Sequence, residues 1–156
     1  MVVTVRSEEK GCRVVQDIKN VFGKDISYVI VPNVATDGAF DQAVQSQPPF
    51  DYVVHTASPY QYTFEDPVKD CLDPAIKGTT GILKSIKRYA ASVKRVVITS
   101  SSAAVLNPPN HRKVYDETSW SEVTWEEAMN PAHTYRASKV RSLIPIGCGM
   151  TWLDSC

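Results

Sequence analysis

Short β-rich runs that alternate with helical segments are the feature that most constrains the fold of this chain. The strand candidates are residues 2–5, 26–31, 52–56 and 95–99. They are near-continuous apolar runs without clear alternation, which predicts strands that are covered on both faces. Strands that alternate with helices form βαβ units, so the sequence predicts an α/β fold with a doubly wound parallel sheet.

Four segments carry helical patterns between or after these strands. They are residues 8–22, a shorter and weaker segment at 39–45, a long segment at 67–91, and 132–139. Asp66 is a natural N-cap for the long helix, and Pro67 suits its first position. Pro74 is expected to kink that helix early. Tandem prolines and polar residues mark 107–119 as a surface loop.

Composition excludes several classes of partner. Lys plus Arg equals Asp plus Glu, 17 each, so no charge excess points to nucleic acid or an anionic membrane. No apolar run approaches a membrane span, and no secretory signal is present, so we expect a cytoplasmic protein. The cysteines are Cys12, Cys71, Cys148 and Cys156, and they and the three histidines are too scattered for a metal site. Reduced thiols and no metal are therefore expected.

The stretch "TYRASK" places Tyr135 and Lys139 four residues apart in the last predicted helix. Residues at i and i+4 share one helical face, and a nearby ammonium lowers a phenol pKa from its usual value of about 10. A tyrosine so placed can protonate a carbonyl. The same spacing also arises by chance, and an ordinary surface pair contributes only about 0.2–0.5 kcal/mol.

Ligands of doubly wound sheets bind at the carboxyl ends of the strands, and polar residues follow three strand candidates. Arg6 and Lys10 follow the first strand candidate. In dinucleotide-binding folds an Arg at such a position accommodates the 2′-phosphate of NADP, and the alternative interpretation is a solvated basic pair that opens a helix. The residues "HTASP" follow the third strand candidate. Small residues at a strand end let the backbone approach a ligand closely, and the alternative interpretation is an ordinary turn from strand to loop. A serine-rich turn at 99–102 follows the fourth. A Ser-His-Asp hydrolase is disfavoured because no Gly-x-Ser-x-Gly elbow is present.

The order of these motifs carries a family resemblance over about residues 2–139. The segments are "TVRSEEKG", "FDYVVHTASPY", "DPVKDCLDPAIKGTTGIL", "VKRVVITSSSAAV", "DETSW" and "YRASK". Together they resemble the extended short-chain dehydrogenase/reductases (SDRs), which include NAD-dependent epimerases and dehydratases. The nearest resemblance is to fungal NADPH-dependent methylglyoxal, aldehyde and ketone reductases and to dihydroflavonol-4-reductase-like proteins. UDP-sugar epimerases share only the Ser…Tyr-x-x-x-Lys scheme.

The resemblance implies a catalytic role for three residues. Tyr135 would give its proton to the carbonyl oxygen as hydride arrives. Lys139 would lower the pKa of Tyr135 and hold the nicotinamide ribose. Ser101 would orient and polarise the carbonyl, with Ser100 and Ser102 as alternatives one place away.

The resemblance also implies a binding site for NADPH. Arg6 and Lys10 match the residues that hold the 2′-phosphate. Asn33 and Val34 stand beside the adenine, where the family usually has an acidic residue, so that contact is weakened. The full set of implied cofactor contacts is Arg6, Lys10, Asn33, Val34, Thr56, Ala57, Ser58, Thr99, Tyr135 and Lys139.

The resemblance is incomplete at both ends. Residues 1–139 are expected to form a partial NAD(P)-binding Rossmann-like domain, and residues 140–156 form a tail that resembles nothing in the family. The family's first strand and Gly-x-x-Gly-x-x-Gly turn have no counterpart, and Gly147-Cys148-Gly149 is not followed by a helix. In a sheet ordered 3-2-1-4-5 that first strand is central. We therefore expect two strand pairs with exposed inner edges.

The resemblance thus implies an NADPH-dependent oxidoreductase that transfers hydride to a small carbonyl compound. Two alternatives stay open: a non-catalytic SDR remnant that acts as a binding or regulatory module, and a nucleotide-sugar epimerase-like enzyme, which "HTASP" disfavours. The 156-residue chain by itself is expected to bind NADPH poorly. The sequence leaves its oligomeric state open.

Overall fold

The computed structural model describes residues 1–60 and 63–143. In these residues, the strands and helices lie near their predicted positions, except that no helix separates the second strand from the third. They are β1 (Val2–Val5), α1 (Glu8–Phe22), β2 (Ser27–Ile30), β3 (Tyr52–His55), α2 (Asp73–Tyr89), β4 (Arg95–Ile98) and α3 (Pro131–Arg141). The predicted tail lies outside the described residues from position 144 onward.

The four strands form two parallel pairs instead of one sheet. β1 pairs with β2 from Val2 opposite Ser27, and β3 pairs with β4 from Tyr52 opposite Arg95. Within residues 1–60 and 63–143, no strand joins the two pairs. The inner edges of β1 and β3 therefore lack a strand partner there, which confirms the arrangement expected for this partial Rossmann-like fold.

Helix α1 forms over the residues that its apolar pattern predicts. The Ser7 hydroxyl caps it by accepting a hydrogen bond from the Lys10 backbone N–H at 3.4 Å. The helix ends at Gly23, whose φ of 63° is the left-handed conformation that glycine adopts at little cost. Both ends are thus encoded locally.

The predicted helix at 39–45 is wrong, because residues 37–44 form successive hydrogen-bonded turns. Gly38 has a φ of 70°, and its carbonyl accepts from the Asp41 N–H over three residues. A left-handed glycine at this point interrupts regular helical geometry. Phe40 and Val44 are nevertheless buried, so the turns serve the core.

The long helix begins as its cap predicts, but it contains a wide turn. The Asp66 carboxylate accepts from the Val68 and Lys69 N–H groups at 3.0 and 3.1 Å. Residues Val68–Leu72 form a π-helical turn, closed by the Asp73 N–H on the Val68 carbonyl. Pro74 has no N–H to continue the regular ladder, so the irregularity expected there takes the form of this turn.

Two apolar clusters hold these elements together. We call the first the sheet cluster, because partly buried residues of β2, β3 and β4 pack against it; its buried members are Val31, Phe40, Ala43, Val44, Ile82, Ile86 and Ala90. The second, here the α3 cluster, consists of Leu72, Ala104, Val123, Ala128, Ala137 and Val140. The sheet cluster joins the two strand pairs, and the α3 cluster fixes the helix with the Tyr–Lys pair.

The prediction that every strand is covered on both faces is wrong for the second pair. Val53 and Val96 pack against the sheet cluster, whereas Val54 and Val97, which point the other way, are 65% and 48% exposed. A helix covers only one face of this pair in the described part of the chain. The apolar runs do not reveal this difference between the two faces, because both faces carry valine.

Among the described residues, no helix has the length and the apolar composition that a membrane span requires.

Candidate functional site

Helix α3 begins at a well-determined point, which fixes where its side chains lie. The Asn130 side chain accepts from the Ala132 N–H at 3.0 Å, and Pro131 occupies the first turn. The buried Thr134 hydroxyl donates to the Ala128 carbonyl at 2.8 Å. These contacts fix the first turn of α3 and the side chain of Thr134, and therefore the direction in which the next residue, Tyr135, leaves the helix.

Tyr135 and Lys139 contact each other through the face of the phenol ring. The Lys139 Nζ lies 5.1 Å from the ring centroid, which is a cation–π distance. Lys139 is only 6% exposed, and burial lowers the pKa of its ammonium group. A lysine buried in this way does not fit the alternative in which Tyr135 and Lys139 are an ordinary surface pair.

Lys139 also reaches back to the end of β3. Its Nζ donates a hydrogen bond to the Ser58 hydroxyl at 2.6 Å, across 81 positions of sequence. The structure thus brings three predicted site residues, Ser58, Tyr135 and Lys139, into one cluster. Burial raises the pKa of the neighbouring Cys71 thiol, which keeps that group protonated and neutral.

His55 belongs to the same region and was missed by the sequence analysis. It is the last residue of β3, is 5% exposed, and meets the Phe40 ring edge-to-face at 5.7 Å. Burial, and then the charge of Lys139, lower the pKa of its imidazole. Its Nε2 has no hydrogen-bond partner among the described residues. The only signal in the sequence was a polar residue that closes an apolar strand.

Tyr60 is a second residue that the sequence analysis did not assign. Its ring meets the Tyr135 ring edge-to-face, with centroids 5.5 Å apart, and its side chain is 74% exposed. Edge-to-face pairs of this kind help to fix ring orientation. Tyr60 therefore covers one side of the Tyr135 ring where "HTASPY" leaves the strand.

Ser101 is placed near α3 by packing. Its hydroxyl accepts from the Ala103 N–H at 3.2 Å and caps the 3₁₀ turn Ser102–Ala104. Ala104 packs with Ala137 in the α3 cluster. The Ser101 side chain thus forms a hydrogen bond within its own turn. Thr99 is exposed, and its N–H continues the strand ladder to the His55 carbonyl at 2.9 Å.

The predicted cofactor residues of the first pair lie at the ends of their strands. Arg6 and Lys10 flank the Ser7 cap of α1, are exposed, and form no ion pair within the described ranges. The Asn33 side chain accepts from the Ala35 N–H at 2.9 Å, in a local turn. Asn33 thus uses one acceptor locally, while the two cations are available to a ligand.

Val34 and Ala57 both approach Gly78 of helix α2, a residue that the sequence analysis did not assign. A Cβ on Gly78 would lie 3.2 Å from the Val34 Cγ2 and 3.9 Å from the Ala57 carbonyl oxygen. The absence of a side chain lets the segments after β2 and β3 approach α2 closely. Thr56, in contrast, is exposed. Two of the predicted contact residues are thus neighbours.

Comparison with known proteins supports the assignment suggested by the motifs. No model of a protein family matches the chain. The chain is similar to ketoreductase azaE of Aspergillus niger, at 59% identity over 140 residues, which cover 90% of this chain and 41% of that protein. It is also similar to the putative NADPH-dependent methylglyoxal reductase GRP2 of Candida albicans, at 39% identity. The chain spans about two fifths of the length of the curated relatives it matches.

Solved structures give the same result. Yeast methylglyoxal/isovaleraldehyde reductase Gre2, complexed with NADPH, matches with a TM-score of 0.81 and 37% identity, covering 90% of this chain and 42% of that one. The Candida albicans Gre2–NADPH complex matches with a TM-score of 0.83 and 34% identity, covering 93% and 44%. A Bifidobacterium longum UDP-glucose 4-epimerase, at 16% identity and a TM-score of 0.65, shows only the shared fold.

The parallel strand pairs form part of a Rossmann-like fold, as in the reductase and epimerase structures that the chain matches. Over the matched residues the chain is similar to fungal ketone and methylglyoxal reductases, which have the fold of the short-chain dehydrogenase/reductases.

Proposed function

We propose that this chain is the cofactor-binding portion of an NADPH-dependent reductase of small carbonyl compounds. The observation that carries the proposal is the buried Lys139 ammonium, held between the Tyr135 ring and the Ser58 hydroxyl. A chance Tyr-x-x-x-Lys pair has no reason to be buried, because an unpaired buried charge is costly. The relatives include a ketoreductase and a putative NADPH-dependent methylglyoxal reductase, which supports the same chemistry. A cytoplasmic location stays a prediction.

The residues present are suited to NADPH, which supplies a hydride when bound. Arg6 and Lys10 offer two exposed positive charges that no carboxylate neutralises in the described chain, which suits a 2′-phosphate. Gly78 leaves room for the close approach of Val34 and Ala57. Ser58, Tyr135 and Lys139 would hold the other end of the cofactor.

The proposed chemistry assigns one task to each residue of the cluster. Tyr135 donates its phenolic proton to the carbonyl oxygen as negative charge develops there. The Lys139 ammonium favours the phenolate that remains, because an opposite charge nearby stabilises it. Ser101 donates a hydrogen bond that polarises the carbonyl, on the strength of its place beside α3.

The decisive experiment removes the proton donor and keeps the ring. Residues 1–143 would be joined to the remaining segments of ketoreductase azaE, and the Tyr135→Phe variant of this chimera would be assayed with a small aldehyde and NADPH. We expect turnover to fall by about 10²–10⁴, the usual contribution of general acid catalysis, while the NADPH dissociation constant stays nearly constant. Tyr89→Phe, an exposed ring on α2, is the matched control. Unchanged turnover in Tyr135→Phe contradicts the proposal.

The structure also favours a second candidate for the 156-residue chain taken alone. Its two strand pairs meet through the sheet cluster and not through a common hydrogen-bonded sheet. Arg6 and Lys10 would contact only the 2′-phosphate, which by itself is too little to order a flexible dinucleotide. We infer that this chain by itself is a non-catalytic module with weak affinity for NADPH. Micromolar binding in calorimetric titration of residues 1–156 contradicts that inference.

A further inference from the structure

The Lys139 ammonium is a charged group that is buried in this structure, and a buried charge needs partners that replace its lost hydration. Its side chain is 6% exposed, yet it carries a charge that water would otherwise stabilise. The groups that surround it come from three elements: His55 and Ser58 at the end of β3, Cys71 in the π-helical turn, and Tyr135 on α3. One of them must accept a hydrogen bond from Nζ.

We propose that Ser58 is a positioning residue, whose hydroxyl holds the Lys139 ammonium against the face of Tyr135. The Nζ–Oγ distance of 2.6 Å is short for a hydrogen bond from nitrogen, as expected for a charged donor. The role of Lys139 in carbonyl reduction rests on the proposed function, whereas the contact itself does not.

The other neighbours cannot replace Ser58 as a hydrogen-bond acceptor of comparable strength. The Tyr135 ring attracts the cation through its face but offers no lone pair there. The Cys71 thiol is buried and neutral, and sulfur is a weak acceptor. The His55 Nε2 has no partner within hydrogen-bond distance in the described chain, Lys139 included. The geometry therefore makes Ser58 the group that determines where the ammonium lies.

This arrangement has a consequence for ligand binding. Lys139 has three N–H donors, and Ser58 takes one, which leaves donors for a ligand hydroxyl. A lysine that is already held in place loses less side-chain freedom when the ligand arrives. Ser58 would thus act on a ligand through Lys139, in addition to lining the cleft as the sequence predicts.

The test measures the pKa of Lys139 directly in the 156-residue chain. Protein with ¹³C-labelled lysine would be titrated by NMR, and Lys139→Gln would assign the resonance. In Ser58→Ala the charged form loses its acceptor, so the pKa of Lys139 should fall by about one unit, equivalent to a tenfold shift in its protonation equilibrium. Ser58→Thr, which keeps the hydroxyl, should restore the value. The other lysine resonances in each spectrum are the internal control.

A second pair of variants covers the possibility that Ser58→Ala does not fold. Ser58→Thr and Ser58→Val have nearly the same shape and differ in the hydroxyl. A lower pKa of Lys139 in Ser58→Val than in Ser58→Thr supports the proposal, and equal values in the two overturn it.

The two proposals fail separately in this design. If Ser58 variants leave Lys139 unchanged while Tyr135→Phe inactivates the azaE chimera, the positioning role is wrong and the reductase function stands. If Lys139 responds to Ser58 while Tyr135→Phe keeps full turnover, the contact stands and the proposed chemistry is wrong.

Discussion

The two strand pairs of this chain are built from similar sequences but are packed differently. The first pair has α1 on one face, and Val29 of β2 contacts the sheet cluster on the other. The second pair has one covered face and one open face, on which Val54 and Val97 are exposed. The residues proposed to carry out the chemistry contact the second pair. The pair that α1 covers is therefore not the pair at which the proposed reacting groups lie.

The close packing of the first pair depends on a glycine. Gly11 of α1 lies directly on the Tyr28 ring of β2, and the Tyr28 hydroxyl donates to the Glu8 carboxylate. This hydrogen bond is the largest cause of the raised pKa of Tyr28. Helix and strand are thus joined by both packing and a polar contact.

The second pair has its polar connection at the strand end instead. His55 is buried under the sheet cluster, and Ser58 reaches the Lys139 ammonium of α3. The exposure of Val54 and Val97 therefore does not extend to the candidate site at the strand end, where the side chains are held by these contacts. Under the proposed function, the first pair would supply affinity and cofactor choice, and the second pair would supply the reacting groups.

The largest expected effect tests this division of labour through Arg6. In the azaE chimera, Arg6→Ala should raise the NADPH dissociation constant about 10- to 100-fold, the range expected for losing a hydrogen bond to a charged group. The NADH dissociation constant and the turnover number should change little. Arg13→Ala, which removes an exposed arginine on α1, is the control. Equal losses for both cofactors would refute the phosphate contact.

A smaller effect tests the packing of the first pair. In Gly11→Ala the new Cβ would lie 2.5 Å from the Tyr28 ring, so the ring must move. Overpacking costs about 1–3 kcal/mol, offset by up to about 1 kcal/mol of helix propensity, so we expect net destabilisation in urea unfolding. Gly81→Ala in α2 has room, with Phe40 at 3.9 Å, and should stabilise by about 0.5–1 kcal/mol. Equal responses of the two variants would show that the first pair is not closely packed.

The next prediction concerns pH and the buried imidazole of the second pair. The pKa of His55 is lowered in the folded chain, whereas the unfolded chain titrates near the usual value of about 6.5. Below about pH 6.5 the unfolded state therefore binds a proton that the folded state does not, and the free energy of unfolding falls. His55→Phe should flatten this dependence between pH 7 and 5. His111→Phe, at an exposed position, is the control, and a profile unchanged by His55→Phe would contradict the burial.

The smallest effect compares the two faces of the second pair. Val53→Thr places a hydroxyl against the sheet cluster and should cost about 1–2 kcal/mol, whereas Val54→Thr on the open face should stay within about 0.5 kcal/mol. Urea unfolding of both variants measures the difference. A large cost at Val54 would mean that this face is covered in solution.

Local signals made most of the fold predictable. The strand cores, the full extent of α1 and the Asp66 cap follow from nearby residues, and the Tyr–Lys spacing put both side chains on one helical face. The segment at 39–45 was mispredicted because Gly38 adopts a left-handed conformation that the apolar pattern does not encode. The open face was also missed, because coverage depends on which helices pack there and not on the strand's own residues.

Three of the candidate site residues, Ser58, Tyr135 and Lys139, lie together in the structure, but the sequence did not predict the contacts that join them. Ser58 was assigned to the cofactor cleft from "HTASP", yet its hydrogen bond to Lys139 depends on how α3 packs against the end of β3. The position of His55 at the end of an apolar strand was too weak a signal to assign it, because histidine at a strand end has many uses. Contacts of this kind are long-range, and no periodicity in the sequence reports them.

The 81-residue span of the Ser58–Lys139 hydrogen bond bears on the time course of folding. Val2 and Ser27, which open the first pair, are close in sequence, whereas Tyr52 and Arg95 of the second pair are farther apart, and Ser58 and Lys139 farther still. Contacts between distant positions form later because the chain must first close a larger loop. On a ribosome the first pair and α1 can associate soon after β2 emerges, whereas the ammonium acquires its acceptor only after α3 has been synthesised. The site is thus expected to be the last part of the described chain to mature.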